Sequence, residues 1–285
     1  MAQKYSGLIL LGFLSFISCE KEVYIPMPGY GSKPVVYGIA KENDSLKILI
    51  SQTYSSYDAA PEFSSIKAVI GLYVNGAFIE NLTPEDSFYI AKKYTPKQND
   101  ILNLDIVTDK GDKVITKTFI PDKIKIDTLI YKPIGNSEGY SEVILQFKDP
   151  PFPDFYEIRC EHVYTDSTKN VFLSDLKSTD PILASEESIG KHVSNLFSDK
   201  MFDTKEVTIH FSISNFNYNS SETPRLVLHF NHVTEDYYKF MKTFYKQSSS
   251  GSLFDLNSEP VNVYTNMNGG YGIFTGVAIS TDTLK

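Results

Sequence analysis

Leu72-Tyr73-Val74-Asn75-Gly76-Ala77-Phe78-Ile79 decides the class of the fold. Two short runs of branched and aromatic residues flank an Asn-Gly pair. That pair supplies the two left-handed backbone positions a two-residue hairpin turn requires. Working outward, Val35 to Ile39, Leu46 to Ile50, Ala68 to Val74, Phe78 to Leu82, Ile101 to Val107 and Val114 to Ile120 read as strands of the same kind. Glu42-Asn43-Asp44 and Asp109-Lys110-Gly111-Asp112 provide turn chemistry between them. Six or seven strands at this spacing predict an immunoglobulin-like sandwich over residues 34–120, with Pro121-Asp122-Lys123-Ile124 as its exit.

Residues 121–285 predict a second β-rich domain with one or two short helices, so the chain as a whole reads as mainly β. Its clearest strands are Val143 to Phe147, Tyr156 to Tyr164, Val207 to Ile213 and Leu226 to His232. Within residues 182–202 a short helix is expected near Val193 to Phe197. The strongest helix is Glu235 to Lys246. Thr234 is placed to cap it, Glu235 and Asp236 suit its positive end, and Tyr237, Phe240, Met241 and Phe244 form one apolar stripe. A last strand pair is expected at Val261 to Tyr264 and Ile273 to Ser280, around Asn268-Gly269-Gly270.

The beginning of the chain reads differently. Lys4 precedes an apolar run from Leu8 to Ile17, about half of what a helix needs to cross a bilayer core of ~30 Å. Residues 1–18 therefore read as a secretory signal. Phe16-Ile17-Ser18-Cys19 resembles a bacterial lipobox, in which the cysteine is lipidated and becomes the first mature residue. The alternative is an ordinary signal peptide with an incidental cysteine. Residues 19–33, with Pro26, Pro28, Gly29 and Gly31, read as anchor and tether.

Removing residues 1–18 takes away one lysine and no acid, so the net charge moves from −8 to −9. An acidic surface with only two arginines, Arg159 and Arg225, argues against nucleic acid as a partner. Cys160 alternates with Glu157, Arg159 and Glu161 and is expected on the inner face of a strand. With the Cys19 sulfur alkylated, Cys160 has no disulfide partner.

Several segments together resemble a Bacteroidota outer-membrane lipoprotein family catalogued as domain of unknown function 4249. They are Val35-Val-Tyr-Gly-Ile39, Leu46 to Ser51, Gly71 to Gly76, Phe197-Ser-Asp-Lys-Met-Phe202, Asp236-Tyr-Tyr-Lys-Phe240, Glu259 to Asn266 and Gly269 to Gly276. The resemblance implies a lipid-anchored outer-membrane protein, often encoded beside TonB-dependent receptor barrels, and brings no established activity. Glu20 and Glu22, directly after Cys19, resemble the acidic signal that sends such lipoproteins to the cell surface, although Lys21 interrupts it. A solvated linker is the competing reading. Asp44-Ser45-Leu46, Asp127-Thr128-Leu129, Asp166-Ser167-Thr168 and Asp282-Thr283-Leu284 resemble the O-glycosylation sequon of Bacteroidota secreted proteins, which makes Ser45, Thr128, Ser167 and Thr283 candidate acceptors in turn-like positions.

Candidate chemistry is sparse. There is no Gly-x-Ser-x-Gly elbow and no His-Glu-x-x-His pair. Of the histidines, His162, His192, His210, His229 and His232, the last two lie three apart in one strand and project from opposite faces, so no metal site is expected from them. Gly269-Gly-Tyr-Gly-Ile-Phe-Thr-Gly276 lacks the residues of a phosphate loop. Its glycines fit turns or close backbone approaches, with a tight docking surface as the rival reading. The absence of tryptophan lowers a sugar-stacking role for the many tyrosines.

The leading expectation is a non-enzymatic lipoprotein of the outer cell surface, with no cofactor beyond its lipid. Its expected partner is an outer-membrane β-barrel of the TonB-dependent receptor type, assisted in uptake or assembly. The alternatives are a free-standing surface protein binding glycan or peptide, and an enzyme using carboxylates that the sequence does not single out. Asn266, Asn268, Tyr271 and Phe274 are the expected docking residues, the amides for hydrogen bonds and the rings for buried area.

Overall fold

Alternation of buried and exposed side chains sets the strands of this protein. The computed structural model describes residues 32–54, 66–133, 139–164, 170–184, 194–214, 224–249 and 262–284. The chain runs through β1 (Pro34–Lys41), β2 (Lys47–Gln52), β3 (Ala68–Val74), β4 (Ala77–Asn81), β5 (Thr83–Glu85), β6 (Phe88–Ile90), β7 (Ile101–Thr108) and β8 (Lys113–Phe119). It continues through β9 (Ile126–Lys132), β10 (Tyr140–Lys148), β11 (Phe155–Val163), β12 (Val171–Leu173), β13 (Leu176–Lys177), the single turn α1 (Pro181–Ala184) and β14 (Ser194–Ser198). A 3-10 turn at Asp199–Met201 leads to β15 (Glu206–Ser214), β16 (Arg225–Val233), α2 (Glu235–Ser249) and β17 (Tyr271–Leu284). The fold is mainly β.

The opening hairpin forms as its sequence requires. Asn75 and Gly76 take φ of 51° and 85°. The Asn75 side chain is also used: its Oδ1 accepts from the Ile101 N–H at 2.9 Å, and its Nδ2 donates to Asp100 at 2.9 Å.

Among the described residues three sheets result. Nine strands make the largest, in the order β12-β11-β16-β17-β1-β2-β6-β5 with β14 also paired to β11. Two four-stranded sheets, β4-β3-β7-β8 and β13-β15-β10-β9, complete the set. The first small sheet packs on the large one through Val36, Ile48 and Ile50 against Ile70, Leu72, Leu104 and Val114. The second packs through Tyr156, Ile158 and Phe230 against Val143, Phe147, Ile209 and Phe211. These large-sheet residues lie on one face, because pairing carries the Phe274 side of β17 through His232 and Phe230 to Tyr156 and Ile158. The opposite face is covered in part by α2, whose Tyr237, Tyr238 and Met241 meet Val233, Val277 and Ile39.

The change of core falls near residue 120, but the large sheet crosses that point. β1 pairs in parallel with β17, setting Val35 beside Tyr271, and Met267 and Phe274 belong to the first core. The sandwich over residues 34–120 thus draws part of one layer from a sheet it shares with the rest of the chain.

Two elements differ from the sequence reading. Residues 194–198 form a strand on β11 rather than a helix near Val193 to Phe197, and Phe197 is buried against Tyr156. Five residues are too few for the helical pattern to outweigh ladder hydrogen bonds to an available strand. Residues 262–264 carry no strand pairing; the Tyr264 N–H instead donates to Thr243 Oγ1 of α2 at 2.8 Å. The helix itself starts as expected, with Thr234 Oγ1 accepting from the Tyr237 N–H at 3.2 Å. Its stripe divides: Tyr237 and Met241 pack on the sheet, while Phe240 and Phe244 stack 5.8 Å apart and Phe244 stays largely exposed.

Candidate functional site

The segment from Asn266 to Gly276 is bound mainly to its own chain. Asn266 acts as a strand mimic: Nδ2 donates to the Phe274 carbonyl at 2.7 Å and Oδ1 accepts from the Phe274 N–H at 3.1 Å. Its Nδ2 also reaches Asp236 at 3.2 Å. Asn268 exchanges two backbone hydrogen bonds of 2.9 Å with Ile115 of β8. Phe274 is 0% exposed in the first core, so its ring is unavailable to a partner. Tyr271, at 45% exposure, keeps its ring in solvent, with the Lys33 ammonium 5.4 Å from the ring centre. Of the four expected docking residues, Tyr271 and the exposed turn residue Asn268 therefore face outward.

The glycines explain this division. A Cβ on Gly272, whose φ is +103°, would stand 1.9 Å from the Val36 carbonyl oxygen; one on Gly276 would stand 2.0 Å from that of Phe119. Close backbone approach is thus their role, and the backbone approached belongs to β1 and β8 of the same chain.

Tyr271 borders a trough of about 710 Å³ between β1, the end of α2 and residues 262–265. Tyr37 and Phe244 line it with Tyr271 and are 42% and 43% exposed. Tyr264 forms part of the wall, with its hydroxyl donating to Asp236. Burial first, and Asp236 next, push the Tyr264 phenol above its ordinary range. Among the described residues the trough offers mainly aromatic and aliphatic surface.

A second constellation lies at the end of the other core. Asp149 closes β10, Asp154 precedes β11 and Asp199 opens the 3-10 turn. One carboxylate oxygen from each lies within 4.8 Å of the others, and all three residues are buried. Tyr156 donates its hydroxyl to Asp149 Oδ1, and the Thr204 N–H donates to Asp149 Oδ2 at 2.9 Å. Thr204 holds a left-handed φ of 64°, a conformation a β-branched residue rarely adopts. The Asp154 N–H donates to Asp199 Oδ2 at 2.9 Å, and Asp154 Oδ1 lies 2.8 Å from His232 Nε2. His232 Nδ1 lies 2.8 Å from the Asp122 carbonyl. Burial is the first cause that raises both Asp149 and Asp199 above the ordinary carboxylate range.

The sequence reading sought metal ligands among the histidines and passed over these acids. Asp149-Pro-Pro-Phe-Pro-Asp154 puts two of them five residues apart in a proline-rich turn, which is the one local signal available; Asp199 arrives only through the pairing of β14 with β11.

The other expected positions are scattered. His210 is exposed, 3.4 Å from Glu142 on the outer face; His229 meets Glu161 at 3.1 Å, well apart from the contacts of His232. Cys160 is fully buried as a core residue. Ser45 sits in an exposed turn, whereas Thr128 and Thr283 lie within β9 and β17 rather than in turns. Cys19, Glu20, Glu22, Ser167 and His192 lie outside the described residues.

Comparison with curated proteins finds no match to this sequence. A family match does exist, and it runs from the residue after Cys19 to the penultimate residue of β17, so it takes in both cores and both constellations. Over residues 20–283 the sequence matches the family described as Domain of unknown function (DUF4249), and the chain belongs to that family.

Proposed function

We propose that the chain is a non-enzymatic lipoprotein on the outer face of the outer membrane. In this reading a lipid on Cys19 holds it there, and it serves as an accessory subunit of a TonB-dependent receptor or related barrel in uptake or assembly. One observation carries the docking part: Tyr37, Phe244 and Tyr271, from three different elements, leave their rings 42–45% exposed around a single trough. Aromatic side chains fixed on rigid elements bury large area at little entropic cost, which is what interface anchors do. The lipobox-like Phe16-Ile17-Ser18-Cys19 supports the anchor, and the resemblance to lipoproteins encoded beside receptor barrels supports the class of partner. A membrane tether makes the encounter effectively intramolecular, so modest intrinsic affinity suffices.

The test is purification from membranes through a tag placed after Lys285, with identification of co-purifying proteins by mass spectrometry. A barrel is expected with the wild type and not with Tyr271→Ala, whose melting temperature should stay within ~2 °C because the ring is half in solvent. Recovery of a glycan or peptide without any barrel would favour the free-standing binding role. A barrel that persists with Tyr271→Ala moves docking away from the trough. Cys19→Ala should release the protein from membranes, and protease added to intact cells should degrade the wild type.

A further inference from the structure

We propose that Asp149, Asp154 and Asp199 form a binding site for a divalent cation of the calcium type. Charge leads the argument. Three buried carboxylates meet within 4.8 Å, and among the described residues no lysine or arginine is paired with any of them. His232 Nε2 lies 2.8 Å from Asp154 Oδ1, and its Nδ1 lies 2.8 Å from the Asp122 carbonyl. Carboxylates brought this close in a buried setting repel one another unless a cation sits among them, and a divalent ion supplies that charge.

An independent observation points to a missing partner. Asp154 is 7% exposed, and its Oδ2 is buried with no hydrogen-bond donor among the described residues. A buried carboxylate oxygen without a partner is costly, and a bound cation satisfies it directly. The oxygens already in hydrogen bonds, Asp149 Oδ1 and Oδ2 and Asp199 Oδ2, each keep a second lone pair for a metal.

Donor chemistry favours calcium over magnesium. Three carboxylates offer an all-oxygen set, and calcium accepts irregular oxygen geometry whereas magnesium demands a near-ideal octahedron and gives up its waters reluctantly. Such an ion would fasten the β10–β11 turn to the 3-10 turn after β14. This site is independent of the docking reading.

The experiment uses the full chain in detergent, stripped with a chelator. The protein contains no tryptophan, so terbium(III) emission excited in the tyrosine band reports an ion near rings such as Tyr156. Terbium emission should saturate and be displaced by calcium with an apparent Kd between about 10⁻⁶ and 10⁻³ M, and by magnesium at least tenfold more weakly. Calcium at about a hundredfold over Kd should raise the Tm by roughly 5–10 °C. Asp154→Asn should weaken binding at least tenfold, while Asp127→Asn, an acid outside the cluster, should leave it within twofold. If Asp154→Asn does not fold, Asp199→Asn carries the same expectation. Absence of both terbium emission and a calcium-dependent Tm shift at 10 mM ion overturns the proposal on the wild type alone. Undiminished binding by the cluster variants overturns it equally.

Discussion

Adding one methyl group at Gly276 should cost this protein about as much as truncating a large core side chain would. The new Cβ would lie 2.0 Å from the Phe119 carbonyl oxygen, 2.7 Å from its carbon and 2.9 Å from Ile120 Cα. Those neighbours are backbone, so no side chain can swing aside. β17 and the end of β8 would have to part by about 1.4 Å to reach ordinary contact. That movement breaks the buried hydrogen bond from the Gly276 N–H to Thr118 Oγ1, 3.0 Å long. Overpacking contributes ~1–3 kcal/mol, and leaving a buried donor unsatisfied adds ~1–3 kcal/mol. A loss of about 4 kcal/mol corresponds to a Tm lower by roughly 8–16 °C in a unit of this size. Gly111→Ala is the control: nothing lies within 4 Å of its Cβ, yet its φ of +88° makes alanine conformationally strained. It should lose only ~1–2 kcal/mol. Scanning calorimetry of both variants separates the two causes. If Gly276→Ala melts no lower than Gly111→Ala, the close-approach argument is wrong. If it keeps its Tm and loses a membrane partner, the glycine serves an outside surface.

Three further outcomes can be measured on the same protein. Glu157 is buried and accepts from Tyr237 at 3.1 Å and Asn231 at 2.8 Å, so Tyr237→Phe should cost ~1–3 kcal/mol and loosen α2, read by urea unfolding; an unchanged midpoint would contradict this. Burial pushes the Cys160 thiol up, so it should react with a thiol reagent only as fast as the protein unfolds, and rapid labelling of the native state would refute that. Burial holds His162 below its ordinary value of 6.5 while its Nε2 lies 3.1 Å from the Ser214 carbonyl. Its contribution is complete above pH 6.5 and is lost as pH falls toward the depressed folded value, because the unfolded chain gains the proton first; His162→Gln should flatten the Tm–pH curve below pH 6.5, and parallel curves would remove His162 from the account.

Local chemistry made much of this molecule readable. The Asn75-Gly76 hairpin, the alternation in β7 and β8 and the Thr234 cap all depend on neighbours a few positions away. What stayed hidden depends on distance along the chain. Residues 194–198 become a strand because β11 offers a free ladder, which no window around Leu196 reveals. The glycines of β17 announced a close approach, but only the fold shows that β1 and β8 fill it, which leaves the Tyr271 ring exposed beside them. The acid cluster was hidden for the same reason. Asp149 and Asp154 are neighbours in sequence, Asp199 is not, and burial turns three ordinary acids into an unusual group.

Strand β17 lies inside the large sheet, between β16 and β1, and not at its rim. Losing a rim strand shortens a sheet; losing this one splits it. Two long edges would then open at once, each a row of unpaired amides and carbonyls ready to template a foreign strand. Every chain that has not yet presented residues 271–284 is in that condition. The hazardous species for this protein is therefore one in which β1 and β16 have formed without β17 between them, and its exposure ends when residues 271–284 fill that gap.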